Sequence, residues 1–253
     1  MTRFGWLTWL SVAQGVRERI VWGVGFLFVS LLGLSVFLGV VSVGEQVRVL
    51  RGAGLLAIEF SGLLVILLSF TFGFYRDRLS RMVEVYRTYV SYPRYTASKL
   101  CAAWILALGY VGLAGACWGV VLALHGAFAW PLLAGLASLF LKLALAVAIN
   151  FLCCCLFSSP ALAVTASLFL YVAGTLAPSA IEAIAQQLPG QPATLLLKGL
   201  ACVLPGVNRL DATTTLLDGQ LPGWGFFGAA TGYTLCYCLF LWSLGTWVSS
   251  RQE

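Results

Sequence analysis

Charge is scarce in this chain: Asp, Glu, Lys and Arg make up 9% of its 253 residues, against about 25% in an average soluble domain. So little charge cannot cover a globule of this size with solvated side chains, which excludes an ordinary water-soluble domain. Disorder requires low hydrophobicity and high charge, and it is excluded by a composition that is 60% hydrophobic. Histidine occurs once, at His125, so no cluster of imidazoles is present to hold a metal or to serve His-based catalysis. No G-x-x-x-x-G-K-[S/T] run occurs, which excludes a Walker-type nucleotide site in this chain. The longest stretch between apolar runs, residues 178–222, is near the lower limit for a self-supporting soluble fold, so no catalytic domain is expected there.

What is abundant is apolar sequence in long runs. Six runs, at 20–43, 52–74, 100–124, 131–157, 161–177 and 223–248, reach or approach the roughly 20 residues that cross a bilayer core. The fourth and fifth are split only by Ser158, Ser159 and Pro160, where proline removes a backbone donor and disfavours helix just before it, so a tight reversal is expected. The chain reads as a single all-α membrane domain over 1–253, with six transmembrane helices and both termini on one side. Arg3, Arg17, Arg19, Arg76, Arg78, Arg81, Arg87, Arg94, Lys99 and Arg251 collect on the side of the termini, and only Arg48, Arg51, Lys198 and Arg209 on the other. Basic residues mark the cytoplasmic side, so the net charge of +6 reports topology rather than a nucleic-acid partner, and the termini are expected in the cytoplasm.

Residues 1–19 carry Phe4, Trp6, Leu7, Trp9, Leu10, Ala13 and Val16 at helical spacing. Their basic cluster follows the apolar part and no small-residue cleavage pattern closes it, so an interfacial helix against membrane lipid is expected rather than an export signal. In the outer segment, 178–222, Pro178, Pro189, Pro192, Pro205 and Pro222 separate short apolar pieces, and the piece at 194–204 is too short to span, which fits a re-entrant or interfacial helix. No internal repeat relates the first three spans to the last three, so an inverted-repeat transporter is not supported.

Seven of the eight cysteines fall in expected spans, Cys202 being the exception. Cys153, Cys154 and Cys155 are consecutive, so on a helix they point about 100° apart and cannot converge on one ion; they read as packing residues. Gly115 with Gly119, and Gly228 with Gly232, allow close helix approach, including a dimer face. Glu59 and Lys142 lie at membrane depth, where an unpaired charge is costly, and a long lysine could reach the carboxylate. A structural interhelical pair, the lining of a polar path and an ion relay are all compatible with them. Asn150, two turns below Lys142 on nearly the same face, extends the polar stripe.

The connection at 75–99 is rich in charge. Leu79, Met82, Val83, Tyr86 and Val90 form one apolar stripe with Arg78, Arg81, Glu84 and Arg87 around it, Asp77 and Arg81 are spaced for an i,i+4 pair, and Pro93 is expected to end this helix before the next span begins near Lys99. Such a helix suits either a solvated position against lipid headgroups or a groove on a cytoplasmic partner. Arg76-Asp77-Arg78-Leu79-Ser80-Arg81, followed by Tyr92-Pro93-Arg94-Tyr95-Thr96-Ala97-Ser98-Lys99-Leu100, resembles the inner loop of type-2 permeases of ATP-binding cassette (ABC) exporters. Ser98-Lys99 stands where that family has Gly-Lys, and Tyr92-Pro93-Arg94 where it more often has Pro-Ile-Ser-Arg. Leu156-Phe157-Ser158-Ser159 is similar to the serine pair closing the family's fourth helix. The segment from Leu204 through Pro205, Gly206, Val207, Asn208, Arg209 and Leu210 to Asp211 is similar to its proline-to-aspartate segment before the last helix.

In their order these motifs cover nearly the whole chain, and the nearest variety is the permeases of copper-enzyme maturation systems. The resemblance implies a permease in the inner membrane, dimeric with a second copy or a related permease, driven by separate ATPase subunits that hold ATP and Mg. No cofactor is expected in this chain. The resemblance also implies that 75–99 holds the coupling helix, with Arg78, Arg81, Glu84, Arg87 and Arg94 contacting the ATPase. Glu59, Lys142 and Asn150 are candidates for the translocation path or its packing. The competing reading is a six-helix membrane scaffold that transports nothing. A membrane-embedded enzyme would need a nucleophile, acid pair or metal cluster at one depth, and the sequence offers none.

Overall fold

A computed structural model describes residues 3–42, 45–80, 82, 89–187, 205–213 and 222–251. The chain is an all-α membrane protein. Helix α1 (Arg3–Arg17) precedes α2 (Arg19–Val41), α3 (Gln46–Leu79), α4 (Tyr92–Leu124), α5 (Pro131–Leu156), α6 (Pro160–Gln187), a short 3-10 turn (Val207–Leu210) and α7 (Trp224–Arg251). Among the described residues, six helices, α2 to α7, are long and apolar enough to cross a membrane.

Three boundaries depart from the sequence expectations. Helix α3 runs 34 residues and α4 runs 33, about 50 Å each at 1.5 Å per residue and well beyond a 30 Å hydrocarbon core. Tyr89 is helical and Val90 and Ser91 are not, so a helix does break here, and the next begins at Tyr92, not near Lys99, with Pro93 second in it. Pro93 thus sits in the first turn of α4, where its missing N–H costs nothing because that turn's donors have no intrahelical partners. The connection expected at 75–99 therefore shortens to 80–91. Pro178 likewise does not close the fifth span, since α6 continues to Gln187. Residues 188–204 and 214–221, which include the piece at 194–204, lie outside the described residues.

Burial is unequal around the bundle. In their most apolar windows α5 is 78% buried and α3 67%, against 22–33% for the other four spans. Protein thus surrounds most of α5, while α2, α4, α6 and α7 present outer faces such as Trp22, Phe26, Leu113, Phe169 and Leu239. Lipid tails are as apolar as these side chains, so association rests on close packing and on polar contacts rather than on the hydrophobic effect. Glycine supplies the packing. Gly54 of α3 lies directly against the indole of Trp118 on α4, Gly115 against Leu136, and Gly245 of α7 against the Phe151 ring, so closely that a β-carbon would collide. Among the described residues Gly228 and Gly232 meet nothing within 4 Å, and of the other pair Gly115 makes the close contact while Gly119 meets only the Phe128 ring at 3.9 Å.

Helices α3 and α5 run parallel in one register. Lys142 reaches Glu59, the Asn150 Nδ2 donates to the Leu67 carbonyl and the Cys154 thiol to the Thr71 hydroxyl, each pair 83 residues apart. Gly54→Leu is expected to lower the apparent melting temperature of the purified protein in detergent, because overpacking costs about 1–3 kcal/mol. Gly228→Leu should leave it unchanged, and equal melting of the two variants would contradict this packing.

Candidate functional site: a shared lysine and a clamped helix pair

Lys142 sits eleven residues into α5, with its side chain 3% exposed. Its ammonium donates to Glu59 Oε2 of α3 at 3.2 Å and also lies 3.3 Å from Asp211 Oδ1. The second Glu59 oxygen, Oε1, accepts the Tyr171 hydroxyl of α6 at 2.6 Å. One cation thus serves two carboxylates, with their side chains 23% and 34% exposed, and a phenol closes the remaining side. The cluster carries one negative charge in excess.

Asp211 arrives there on a strap, residues 205–213, from the connection between α6 and α7. The strap lies flat on α6 because Gly174 has no β-carbon to strike the Pro205 carbonyl, and the Gly206 N–H donates to the Tyr233 hydroxyl of α7 at 2.8 Å. Val207, Leu210 and Ala212 are buried beneath it. Asp211 then accepts the Thr213 backbone N–H at 3.0 Å, an Asx-type turn that aims its carboxylate inward. Burial opposes the charge on Asp211. The Thr213 hydroxyl and N–H and the Lys142 ammonium outweigh it, holding the carboxyl below its ordinary value. The Asp211 contribution to stability is therefore fully present above that ordinary value and is lost as the pH falls through the lower one.

Sequence reasoning found Glu59 and Lys142 and missed Tyr171 and Asp211. The signal for Asp211 was its place in a proline-bounded apolar segment; Tyr171 is one hydroxyl on an apolar helix and gave none. Asn150 stands apart from the cluster. It is fully buried between α3 and α5, with its Oδ1 accepting the Thr71 hydroxyl at 3.1 Å, so it joins the two helices.

A second polar centre lies at the end of the bundle nearest the termini. Asp77 and Arg81 are spaced for an i,i+4 pair, and Arg81 lies outside the described residues. Helix α3 continues past Asp77 and turns it toward α4, where it is buried; its Oδ2 binds Lys99 at 2.7 Å and accepts the Tyr95 hydroxyl at 2.8 Å. Arg78, expected on a docking face, folds back toward the Cys154 carbonyl at 3.5 Å and over the Phe74 ring at 4.9 Å. The Tyr75 hydroxyl donates to the Phe157 carbonyl at 2.6 Å, and the Trp242 indole to Thr96 at 3.1 Å. Arg94 is exposed; Arg81, Glu84 and Arg87 lie outside the described residues. Among the described residues no three His, Cys, Asp or Glu side chains group as metal ligands do.

Comparison with known proteins adds no family: no family model matches the chain, and no curated protein matches it significantly.

Lys142→Met should cost about 3–5 kcal/mol, because it strands two carboxylates, and adding Glu59→Gln and Asp211→Asn should recover most of the loss. Exchanging Glu59 and Lys142, which a two-member pair would tolerate, should fail here by setting a carboxylate at position 142 against Asp211. Thermal melting in detergent measures both, and a stable exchange variant would remove Asp211 from the cluster.

Proposed function

We propose that this chain is the transmembrane permease subunit of an ABC exporter, working as a dimer with a second copy or a related permease. It lies in the inner membrane with both termini cytoplasmic. Separate ATPase subunits bind ATP and Mg and perform the hydrolysis, and this chain catalyses no reaction. The observation that carries the reading is the clamp beneath residues 80–91. Both helices that flank this connection are fixed to one buried carboxylate, Asp77, by Lys99 and Tyr95. A pull on the connection therefore moves the ends of α3 and α4 together. The order of motifs along the chain, from the connection through Ser158-Ser159 to Pro205 and Asp211, supports the same reading.

From the clamp the motion has a physical route. Helix α3 holds α5 through the Leu67–Asn150, Thr71–Asn150 and Glu59–Lys142 bonds, so displacement of α3 carries Lys142 with it. Lys142 also holds the strap through Asp211. Closure of the ATPase pair on ATP draws the connections of the two permeases together, and the shift of Lys142 loosens or tightens the strap at the far end. Arg94, exposed beside the connection, contacts the ATPase with Arg81, Glu84 and Arg87, while Arg78 braces α3 against the α5–α6 reversal.

Affinity purification of the tagged chain from native membranes in mild detergent, with mass spectrometry and an ATPase assay on the complex, tests this. A stoichiometric Walker-containing subunit is expected, and alanine at Arg81, Glu84 and Arg87 together should abolish most transport-coupled hydrolysis while leaving membrane insertion intact. A chain that purifies without an ATPase and without hydrolysis would instead be a membrane scaffold.

A further inference from the structure

The strap that carries Asp211 lies deep in the bundle. It is held by the Lys142 ammonium and by the Tyr233 hydroxyl. Trp130 stands just before α5 and Trp224 begins α7, both largely exposed at the ends away from the termini, and exposed tryptophans at helix ends mark the membrane–water interface. Lys142 follows Trp130 by twelve residues and Tyr233 follows Trp224 by nine. The two anchor residues therefore lie about 18 Å and 14 Å below that interface, near the middle of a hydrocarbon core about 30 Å thick. An average helix tilt of about 20° shortens these depths by only about a twentieth.

Two kinds of outer surface occur at this depth. Helices α6 and α7 expose Phe169, Val172, Leu235 and Leu239, as faces against lipid do. The strap has the opposite pattern. It buries Val207, Leu210 and Ala212 and turns Asn208, Arg209 and Asp211 outward, the arrangement of a surface in water. Its backbone makes only a single 3-10 turn, and irregular backbone at membrane depth occurs where protein buries it or where it lines a water-filled cavity. A long arginine can reach up to the interface, but the short side chains of Asn208 and Asp211 cannot, and exposure to lipid would cost them their hydration. Toward the termini the way is closed, because Leu67, Phe70, Leu145 and Phe151 are packed in the core below the lysine cluster.

We propose that the strap lines a water-filled vestibule, open at the end of the bundle away from the termini and floored by Glu59, Lys142 and Asp211. Asn208 and Arg209 form its polar wall. The vestibule accounts for the charge of the floor: two partly exposed carboxylates share one lysine that is itself shielded, and water offsets the negative charge left in excess. Such a surface fits a polar solute entering from that end, not a lipid tail. The inference rests on the membrane fold and holds whether or not an ATPase drives the chain.

Thiol accessibility tests this in the full chain. With alanine at Cys101, Cys117, Cys202 and Cys236, the other cysteines being buried, the single variants Asn208→Cys, Arg209→Cys and Leu235→Cys would be placed in lipid nanodiscs. Each is treated with a charged, membrane-impermeant methanethiosulfonate, and labelling is followed by mass spectrometry. Leu235 lies two residues from Tyr233 and is exposed on α7, so Leu235→Cys is the lipid-facing control at the same depth. Asn208→Cys and Arg209→Cys should react about a hundredfold faster than this control, because the reactive thiolate forms in water and not in hydrocarbon. Thermal melting checks that each variant keeps the fold of its background. If the strap variants do not fold, deuterium exchange in the native chain decides, with residues 206–212 expected to exchange faster than α7. A folded Asn208→Cys no more reactive than Leu235→Cys, or strap exchange as slow as that of α7, overturns the proposal and places lipid or a second copy of the chain against the strap.

Discussion

Lipid removes the driving force that packs helices in water, and what is left to choose neighbours in this bundle is the polar stripe of α5. Lys142, Asn150 and Cys154 are spaced by eight and four residues, and they meet Glu59, Leu67 and Thr71 at the same spacing on α3. A slip of one residue would turn Lys142 away from both carboxylates, leaving a bare charge in a medium that cannot solvate it. The parallel register of the two most buried helices is fixed by that penalty. The glycine contacts at Gly54, Gly115 and Gly245 then bring α4, the start of α5 and α7 up to a frame already aligned.

The two polar centres stand at different depths of one rod. Glu59 and Asp77 are eighteen residues apart on α3, five full turns and about 27 Å, so they project from the same face. Each carboxylate binds a lysine on another helix, Lys142 on α5 and Lys99 on α4. Helix α3 therefore spans the molecule with a charged contact toward either end. One of these contacts lies beside the 80–91 connection and the other beneath the strap at Asp211.

Much of this was legible in the sequence because the constraints involved are local. Run length and the shortage of charge dictated six spanning helices, and the Ser158-Ser159-Pro160 break separated α5 from α6. Glu59 and Lys142 stood out because charge at membrane depth demands a partner. Other features were misread for identifiable reasons. The span after Pro93 was expected to begin near Lys99 because charge marked the boundary; a break does precede Pro93 at Val90 and Ser91, but the next helix begins at Tyr92, where Tyr95, Thr96 and Ser98 are buried. Asp77 was read by spacing along its own helix, against Arg81; its burial against α4 brings Lys99 and Tyr95 to the same carboxylate, partners that spacing along one helix does not report.

The sequence by itself determined the solvent, the number of crossings and the identity of the two costly charges, since each follows from composition and spacing along one helix. Only the tertiary structure decided that Lys142 has two carboxylate partners, that Tyr171 closes the remaining side of Glu59, and that Asn150 joins α3 to α5 through Thr71 and Leu67. Those outcomes depend on residues from α3, α5, α6 and the strap meeting in three dimensions. Periodicity along a single segment reports which face is apolar but not which neighbour covers it.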